Sequence, residues 1–158
     1  MSYCPPSAAA TTTANLRAGS ELRWYQRVAL VAGGTVVVAL LVVAAVLQPN
    51  PLGMGTHRQL GLPPCSLVVL AGVRCPSCGM TTSWAHLMRG NLVGSLQANS
   101  GGTLFAIAAM LSGPWLLVSG LAGRWRFWCP DERVLLTIGL VLIAVTIVDW
   151  CVRLKLGI

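Results

Sequence analysis

One eight-residue stretch, RCPSCGMT at positions 74–81, contains the residue types in this chain that are most able to do chemistry. It holds Cys75 and Cys78 in a Cys-x-x-Cys pair, with Pro76 between them and Gly79 directly after them. Cys65 lies a short distance upstream. A thiolate is both a metal ligand and a nucleophile. Three thiols this close in sequence therefore predict a shared site, for which three interpretations are open.

The first interpretation is a metal site. A C-P-x-C-G turn directs two sulfurs toward one point, as in the knuckles of zinc ribbons and of rubredoxin-like iron sites. A closed zinc site needs four ligands. The candidate ligands here are Cys65, Cys75, Cys78 and His86, with His57 as the other histidine. The candidate cofactor is a zinc or iron ion, and no residue has a catalytic role under this interpretation.

The second interpretation is thiol–disulfide exchange at the membrane. A Cys-x-x-Cys pair at the start of a helix places a thiol where the helix N-terminus stabilises its thiolate. On this hypothesis Cys75 is the attacking thiol, Cys78 is the resolving thiol, and Cys65 passes the oxidation on. Membrane oxidoreductases that couple loop cysteines to quinones have a similar inventory, but they use two cysteine pairs. A lone Cys-x-x-Cys makes this the alternative function.

The third interpretation is structural. Pro76 and Gly79 would shape the corner that enters a helix, and Thr81 and Thr82 would cap its first turn. The cysteines would then form a disulfide or remain as small buried thiols, which are common for this residue type. Together with the metal interpretation, this favours a non-enzymatic protein with a structural or metal-binding turn at the membrane interface.

The helices that must position these cysteines can be predicted from the apolar composition of the chain. Of 158 residues, 55% are hydrophobic and 9% are charged, whereas about 25% of residues are charged in soluble domains. Three runs are apolar and long enough to cross a bilayer. The predicted spans are residues 28–47, 103–123 and 134–152.

Two pairs of residues refine this prediction. Ala29 and Gly33 are four positions apart in the first span and predict close approach of a neighbouring helix. Asp149 and Arg153 are four apart at the end of the third span and predict an ion pair at the interface.

The predicted fold class is an all-α integral membrane protein with three transmembrane helices. Residues 1–22 form a flexible tail, and residues 23–158 form a single helical membrane domain. A re-entrant or amphipathic cysteine segment, residues 60–98, lies between the first and second spans. Within it, residues 80–97 have the periodicity of an amphipathic helix, either continuous or broken near Gly90. The apolar stripe of that helix is Met80, Trp84, Leu87 and Met88, and its polar stripe is Thr82, His86 and Arg89.

The distribution of basic residues indicates which partners the protein has and how it is oriented across the membrane. The formal net charge is +7, but the basic residues lie in short groups beside apolar runs, which is typical of lipid headgroup contacts. The predicted partners are therefore the lipid bilayer and a second membrane protein, and not nucleic acid. A cytoplasmic N-terminus places six of the eleven basic residues inside and five outside, which favours that orientation.

The motif order resembles a bacterial membrane family known as domain of unknown function 2752. Its members have a cysteine, then C-P-x-C-G-[LM]-T-R, a following R-G-[DN] and an Asn-Pro before the next span. The matching residues are Cys65, Cys75, Pro76, Cys78, Gly79, Met80, Thr81, Arg89, Gly90, Asn91 and Asn99. This chain has Thr82 and Ser100 where the pattern has arginine and proline. The resemblance implies a small multi-span protein of the bacterial cytoplasmic membrane and implies no reaction.

Overall fold

The computed structural model of the chain describes residues 21–125 and 132–156. Within these residues the protein is helical, and no strand is present beyond one isolated bridge between Glu21 and Arg124. The helices in chain order are α1 (Trp24–Val46), a 3₁₀ helix (Thr56–Leu60), α2 (Ser66–Ala71), α3 (Met80–Leu87), α4 (Leu92–Ala98), α5 (Ser100–Ala122) and α6 (Glu132–Leu156).

Helices α1, α5 and α6 are each long and apolar enough to cross a membrane. The chain is therefore an integral membrane protein, and the predicted class of three spans with a cysteine segment between the first two is confirmed. All three helices extend beyond the predicted apolar runs. Each does so at its N-terminal end, and α6 alone among them also continues past the end of its predicted run, through Arg153 and Lys155 to Leu156. Of the predicted tail, residues 1–20 lie outside the described residues.

Close packing of α1 against α5 depends on glycine. A Cβ atom on Gly34 would lie 2.8 Å from the side chain of Leu117, and one on Gly120 would lie 2.8 Å from the side chain of Val31. The small residues predicted for this contact were Ala29 and Gly33, and that prediction is wrong, since both are exposed and nothing lies within 4 Å of the Cβ position of Gly33. Adjacent helical residues are rotated by about 100°, so only one of the two glycines can face α5.

Helix α6 is attached mainly near its C-terminal end. Gly101 of α5 lies so close to Thr146 that no side chain would fit between them. Most other apolar side chains of α6 are exposed, among them Leu136 and Leu140. In a bilayer these side chains contact lipid, which is the expected environment for an apolar helix with few protein neighbours.

The segment between α1 and α5 packs against the end of the bundle where α1 ends and α5 begins. The amphipathic helix predicted over 80–97 is broken near Gly90 into two helices, because Gly90 has a φ of 74° and Asn91 then accepts a hydrogen bond from the Gly94 N–H to begin α4. Thr82 was expected on a polar stripe with His86 and Arg89. It is instead fully buried, since its hydroxyl bonds that of Thr56 at 2.8 Å.

Candidate functional site

The side chains of Cys65, Cys75 and Cys78 converge at one point. Their three Sγ atoms all lie within 4.8 Å of one another. The thiols of Cys75 and Cys78 share a hydrogen bond with a sulfur–sulfur distance of 3.3 Å. All three cysteines are free, with Cys78 buried and the other two half-buried. The closeness of the three cysteines that the sequence predicted is therefore confirmed, and none of the three is in a disulfide. We call these three residues the thiol cluster.

Two short turns position the cluster. Cys65 immediately precedes α2, and its carbonyl accepts a hydrogen bond from the Val69 N–H at 3.1 Å. Cys75 and Cys78 lie on one turn, in which the Cys78 N–H donates to the Cys75 carbonyl at 3.0 Å. The cluster thus joins two separate segments of the loop, whose relative placement must come from contacts elsewhere.

Gly79 fixes the exit of the Cys-x-x-Cys turn. Its φ of 88° is in the left-handed region that favours glycine. A Cβ atom at this position would also meet the backbone carbonyls of Ala98 and Gly53, the latter at 2.8 Å. Backbone from three parts of the chain therefore meets at Gly79, and no larger residue fits there without displacing one of them.

Asn99 holds this turn to the beginning of α5. Its side-chain Nδ2 donates to the carbonyls of Pro76 at 3.0 Å and Cys78 at 3.1 Å. Its Oδ1 accepts from the Gly102 N–H at 2.7 Å and so caps α5. The side chain is fully buried, so each of these bonds forms away from water. Asn99 therefore couples the position of the thiol cluster to a transmembrane helix.

A buried hydroxyl network supports α3 on the bundle. The Ser95 hydroxyl lies 3.1 Å from that of Ser83 and 2.8 Å from that of Thr103. Ser83 and Thr103 hydroxyls are also 3.1 Å apart. All three residues are buried and have almost no accessible surface. Small hydroxylated residues of this kind allow helices to pack closely in membranes.

The end of α6 closes the site from another side. Trp150 Nε1 donates to the Arg74 carbonyl at 2.6 Å, directly before the Cys-x-x-Cys turn. Arg153 forms an ion pair with Asp149, as the sequence predicted, and donates to the Ala98 carbonyl at 2.9 Å. Asp149 also accepts a hydrogen bond from the Ser100 hydroxyl at 3.0 Å. One turn of α6 thus contacts the residue before the Cys-x-x-Cys turn and the two residues that flank Asn99.

The pKa values of Cys65 and Cys78 are shifted in opposite directions. Backbone hydrogen bonding at Val68, together with the thiols of Cys75 and Cys78, lowers the pKa of Cys65 from 9.0 to about 7. Burial, followed by the hydrogen bond with Cys75, raises the pKa of Cys78 from 9.0 to about 12. The cluster thiol that ionises most easily of these two is therefore Cys65, at the N-terminus of α2.

A cavity of about 430 Å³ opens beside the cluster. All three cysteines line it, as do Met54 and Met80. The lining is otherwise mainly apolar, with His57 and Arg58 among the polar residues. A small molecule or ion could therefore reach the sulfurs from this side.

His86 is not part of the thiol cluster. Its Nδ1 lies 3.3 Å from the Asn91 side-chain nitrogen, and it does not line the cavity. His57 lines the cavity, with its Nε2 3.2 Å from the Pro63 carbonyl. Cys151 is exposed on α6, and Cys129 lies outside the described residues.

The sequence drew attention to Asn99 and Trp150 but did not indicate which residues they contact. Asn99 belongs to the motif that carries the family resemblance, but its partners are distant in sequence. Trp150 fits a membrane-interface tryptophan, and nothing in its local sequence indicates a bond to Arg74. Long-range contacts of this type require the packed helices to be known.

Residues 65–113 match the model of a family described as protein of unknown function (DUF2752). The matched segment contains the thiol cluster, Gly79, Asn99 and the first part of α5. The match confirms the resemblance seen in the sequence and brings no known activity with it. No curated protein and no solved structure shows a significant match to this chain.

Proposed function

We propose that this integral membrane protein, which matches a family of unknown function over residues 65–113, binds a metal ion through the thiol cluster. The observation that carries the proposal is the convergence of the Cys65, Cys75 and Cys78 Sγ atoms within 4.8 Å. Thiolates that bind a zinc ion at about 2.3 Å lie about 3.8 Å apart. Only small side-chain movements would bring the three sulfurs to such a common ion.

The surroundings of the cluster support a built site rather than an accidental contact. The Asn99 amide nitrogen donates to two carbonyls of the Cys-x-x-Cys turn. The Trp150 indole donates to the carbonyl of Arg74, the residue before that turn. Groups that orient ligands in this way are a regular part of metal sites. The same contacts would stabilise the turn even without an ion, so a structural role accompanies metal binding.

A zinc or iron ion at this site would need a fourth ligand. His86 as that ligand stays a prediction, because its imidazole lies beside Asn91 and would have to leave it. The cavity offers another possibility, since it reaches the sulfurs directly. A three-thiolate site would then keep one coordination position for a ligand that enters from the cavity.

The test is metal analysis combined with free-thiol counting on protein purified in detergent. We expect about one metal ion per chain, and we expect Cys75→Ser and Cys78→Ser each to abolish it. Cys151→Ser is the matched control, because this cysteine is free and lies outside the cluster. A metal-free protein whose three cluster thiols all react in the native state, even after incubation with zinc, would contradict the proposal.

Thiol–disulfide exchange is the second candidate, and the 3.3 Å distance between the Cys75 and Cys78 sulfurs favours it. In that reaction the two thiols lose two electrons and two protons and form one disulfide. A disulfide in a partner protein is reduced to two thiols by the same electrons and protons. Cys65 is a further candidate for the attacking thiol, because it is half-buried and its pKa is lowered to about 7.

We further propose that the protein lies in the cytoplasmic membrane of a bacterium with its N-terminus in the cytoplasm. Arg23, Arg27, Arg124 and Arg133 flank the span ends opposite the thiol cluster, and cytoplasmic ends are enriched in such residues. A membrane-impermeant maleimide should then label Cys65 in intact cells. Labelling only after the membrane is broken would reverse the proposed orientation.

A further inference from the structure

The walls of the cavity beside the thiol cluster carry soft donors. Met54 and Met80 line the same cavity as the three cysteines. Met54 comes from the turn before the 3₁₀ helix and Met80 from the first position of α3, so the fold brings two distant parts of the sequence to one cavity. Together they bring two thioethers to the cavity that the three thiols border.

Carboxylates, which are the hardest donors a protein side chain offers, are absent from the described lining of this cavity. Carboxylates are the ligands that magnesium, calcium and manganese prefer. Arg58 lines the cavity and Arg74 directly precedes Cys75. Their positive charges would oppose a divalent ion and offset the negative charge of three thiolates.

The number of protein ligands also differs from that of a closed zinc site. The described residues bring three sulfur ligands together at the cluster and no histidine or carboxylate with them. A closed zinc site needs four ligands. Thiolate and thioether ligands instead select monovalent copper, which is stable with two or three sulfur ligands.

We infer that the ion bound by the thiol cluster is Cu(I), held by Cys65, Cys75 and Cys78, with Met54 and Met80 as thioether donors on its open side. This inference rests on the proposed function. Binding is an exchange of protons for the ion: each cysteine that becomes a thiolate ligand releases one proton, and the copper stays in the monovalent state throughout. The cavity then gives the ion a route to a second sulfur-bearing partner.

The experiment uses the full chain in detergent, with Cys4, Cys129 and Cys151 replaced by serine so that only the cluster thiols remain. Cu(I) and Zn(II) are titrated separately and anaerobically, each against a chromophoric chelator. The decisive variant is Met54→Leu with Met80→Leu, which removes both thioethers at nearly constant volume. We expect it to weaken Cu(I) binding about tenfold and to leave Zn(II) binding unchanged. X-ray absorption of the copper-loaded protein should show sulfur neighbours alone.

The outcomes separate this inference from the proposed function. Zn(II) retention with nitrogen or oxygen in its ligand shell, and no stoichiometric Cu(I), would overturn the inference and leave a metal site in place. Failure of both ions to bind would overturn both. Equal Cu(I) affinity with and without the two methionines would overturn their assignment as donors. Met110→Leu is the matched control, because Met110 is exposed on α5 and away from the cavity.

Discussion

The indole nitrogen of Trp150 donates a hydrogen bond to the carbonyl of Arg74 over 2.6 Å, joining residues 76 positions apart. Arg74 directly precedes the Cys-x-x-Cys turn, and Trp150 lies on the last turns of α6. The last transmembrane helix therefore helps to define the geometry of a site formed by the loop between the first two.

Trp150→Phe tests that relationship. The change keeps an aromatic ring and removes the only donor of the side chain, which leaves the Arg74 carbonyl without this partner. We expect the free energy of unfolding to fall by about 1–3 kcal/mol, measured by thermal or denaturant unfolding in detergent. Trp24→Phe is the control, because Trp24 is 77% exposed at the far end of α1. Equal stability of the two variants would show that the Trp150 bond contributes little.

Asn99→Asp should be the most damaging isosteric change near the cluster. The carboxylate has no N–H group to donate, and it would face the Pro76 and Cys78 carbonyls that the amide now binds. A buried charge without a partner costs about 3–5 kcal/mol. We therefore expect loss of folded protein, or of the ordered cluster, as measured by detergent stability and metal content.

The control for this substitution is Gln97→Glu. It makes the same amide-to-carboxylate change two residues earlier, on an exposed side chain. We expect its effect on the free energy of unfolding to stay within about 0.5 kcal/mol. A similar loss in both variants would mean that added negative charge, and not the Asn99 hydrogen bonds, is responsible.

Gly79→Ala should destabilise the protein more than Gly61→Ala. Both glycines have a left-handed φ, of 88° and 76° respectively, which costs another residue about 1–2 kcal/mol. Only at Gly79 would the new methyl group also meet backbone, from Gly53 and Ala98, whereas nothing lies within 4 Å at Gly61. Comparing the two melting temperatures separates the steric effect from the backbone effect, and equal shifts would exclude the steric one.

The reactivity of Cys65 should depend on pH near neutrality. Because its pKa is about 7, alkylation by iodoacetamide should rise as the pH passes through that value and level off above it. Cys78, with a pKa of about 12, should react slowly over the same range. Site-resolved mass spectrometry of metal-free protein measures both rates. Faster alkylation of Cys78 than of Cys65 would contradict the arrangement of the cluster.

The same lowered pKa has a consequence for stability. Folding favours the thiolate of Cys65, so its contribution is present above its unfolded value of 9.0 and is lost as the pH falls through about 7. Cys78 has the opposite sign, since its contribution is present below 9.0 and is lost as the pH rises toward 12. In a Cys65→Ser variant, the free energy of unfolding should therefore change less between pH 9.0 and about 7 than it does in the unmodified protein.

The sequence predicted those features that depend on local pattern. Long apolar runs indicated the three spans, and the spacing of Asp149 and Arg153 indicated their ion pair. The closeness of Cys65 to the Cys-x-x-Cys pair indicated a shared site. The sequence did not reveal that Thr82 and Ser83 turn inward, because the usual rule places polar residues outside. Their hydroxyls find partners on the 3₁₀ helix, α4 and α5, and such partners cannot be identified before the helices are packed.

The assignment of the ionisable thiol had a similar difficulty. The start of the helix after the Cys-x-x-Cys pair directed attention to Cys75, and nothing in the sequence indicated the lowered pKa of Cys65, beside the much shorter α2. The six-residue helix Ser66–Ala71 was visible in the sequence only as a short apolar run. Its N-terminus and the two facing thiols act together, and their meeting depends on the folded loop.

The bond between Trp150 and Arg74 also constrains the order of biogenesis. A ribosome delivers α1 and the cysteine loop to the membrane long before it has synthesised α6. Until Trp150 arrives, the Arg74 carbonyl lacks the partner that it has in the finished protein. The loop therefore acquires this contact only after α6 has been synthesised, and a truncated chain without α6 would reach the membrane with the Arg74 carbonyl lacking its Trp150 partner.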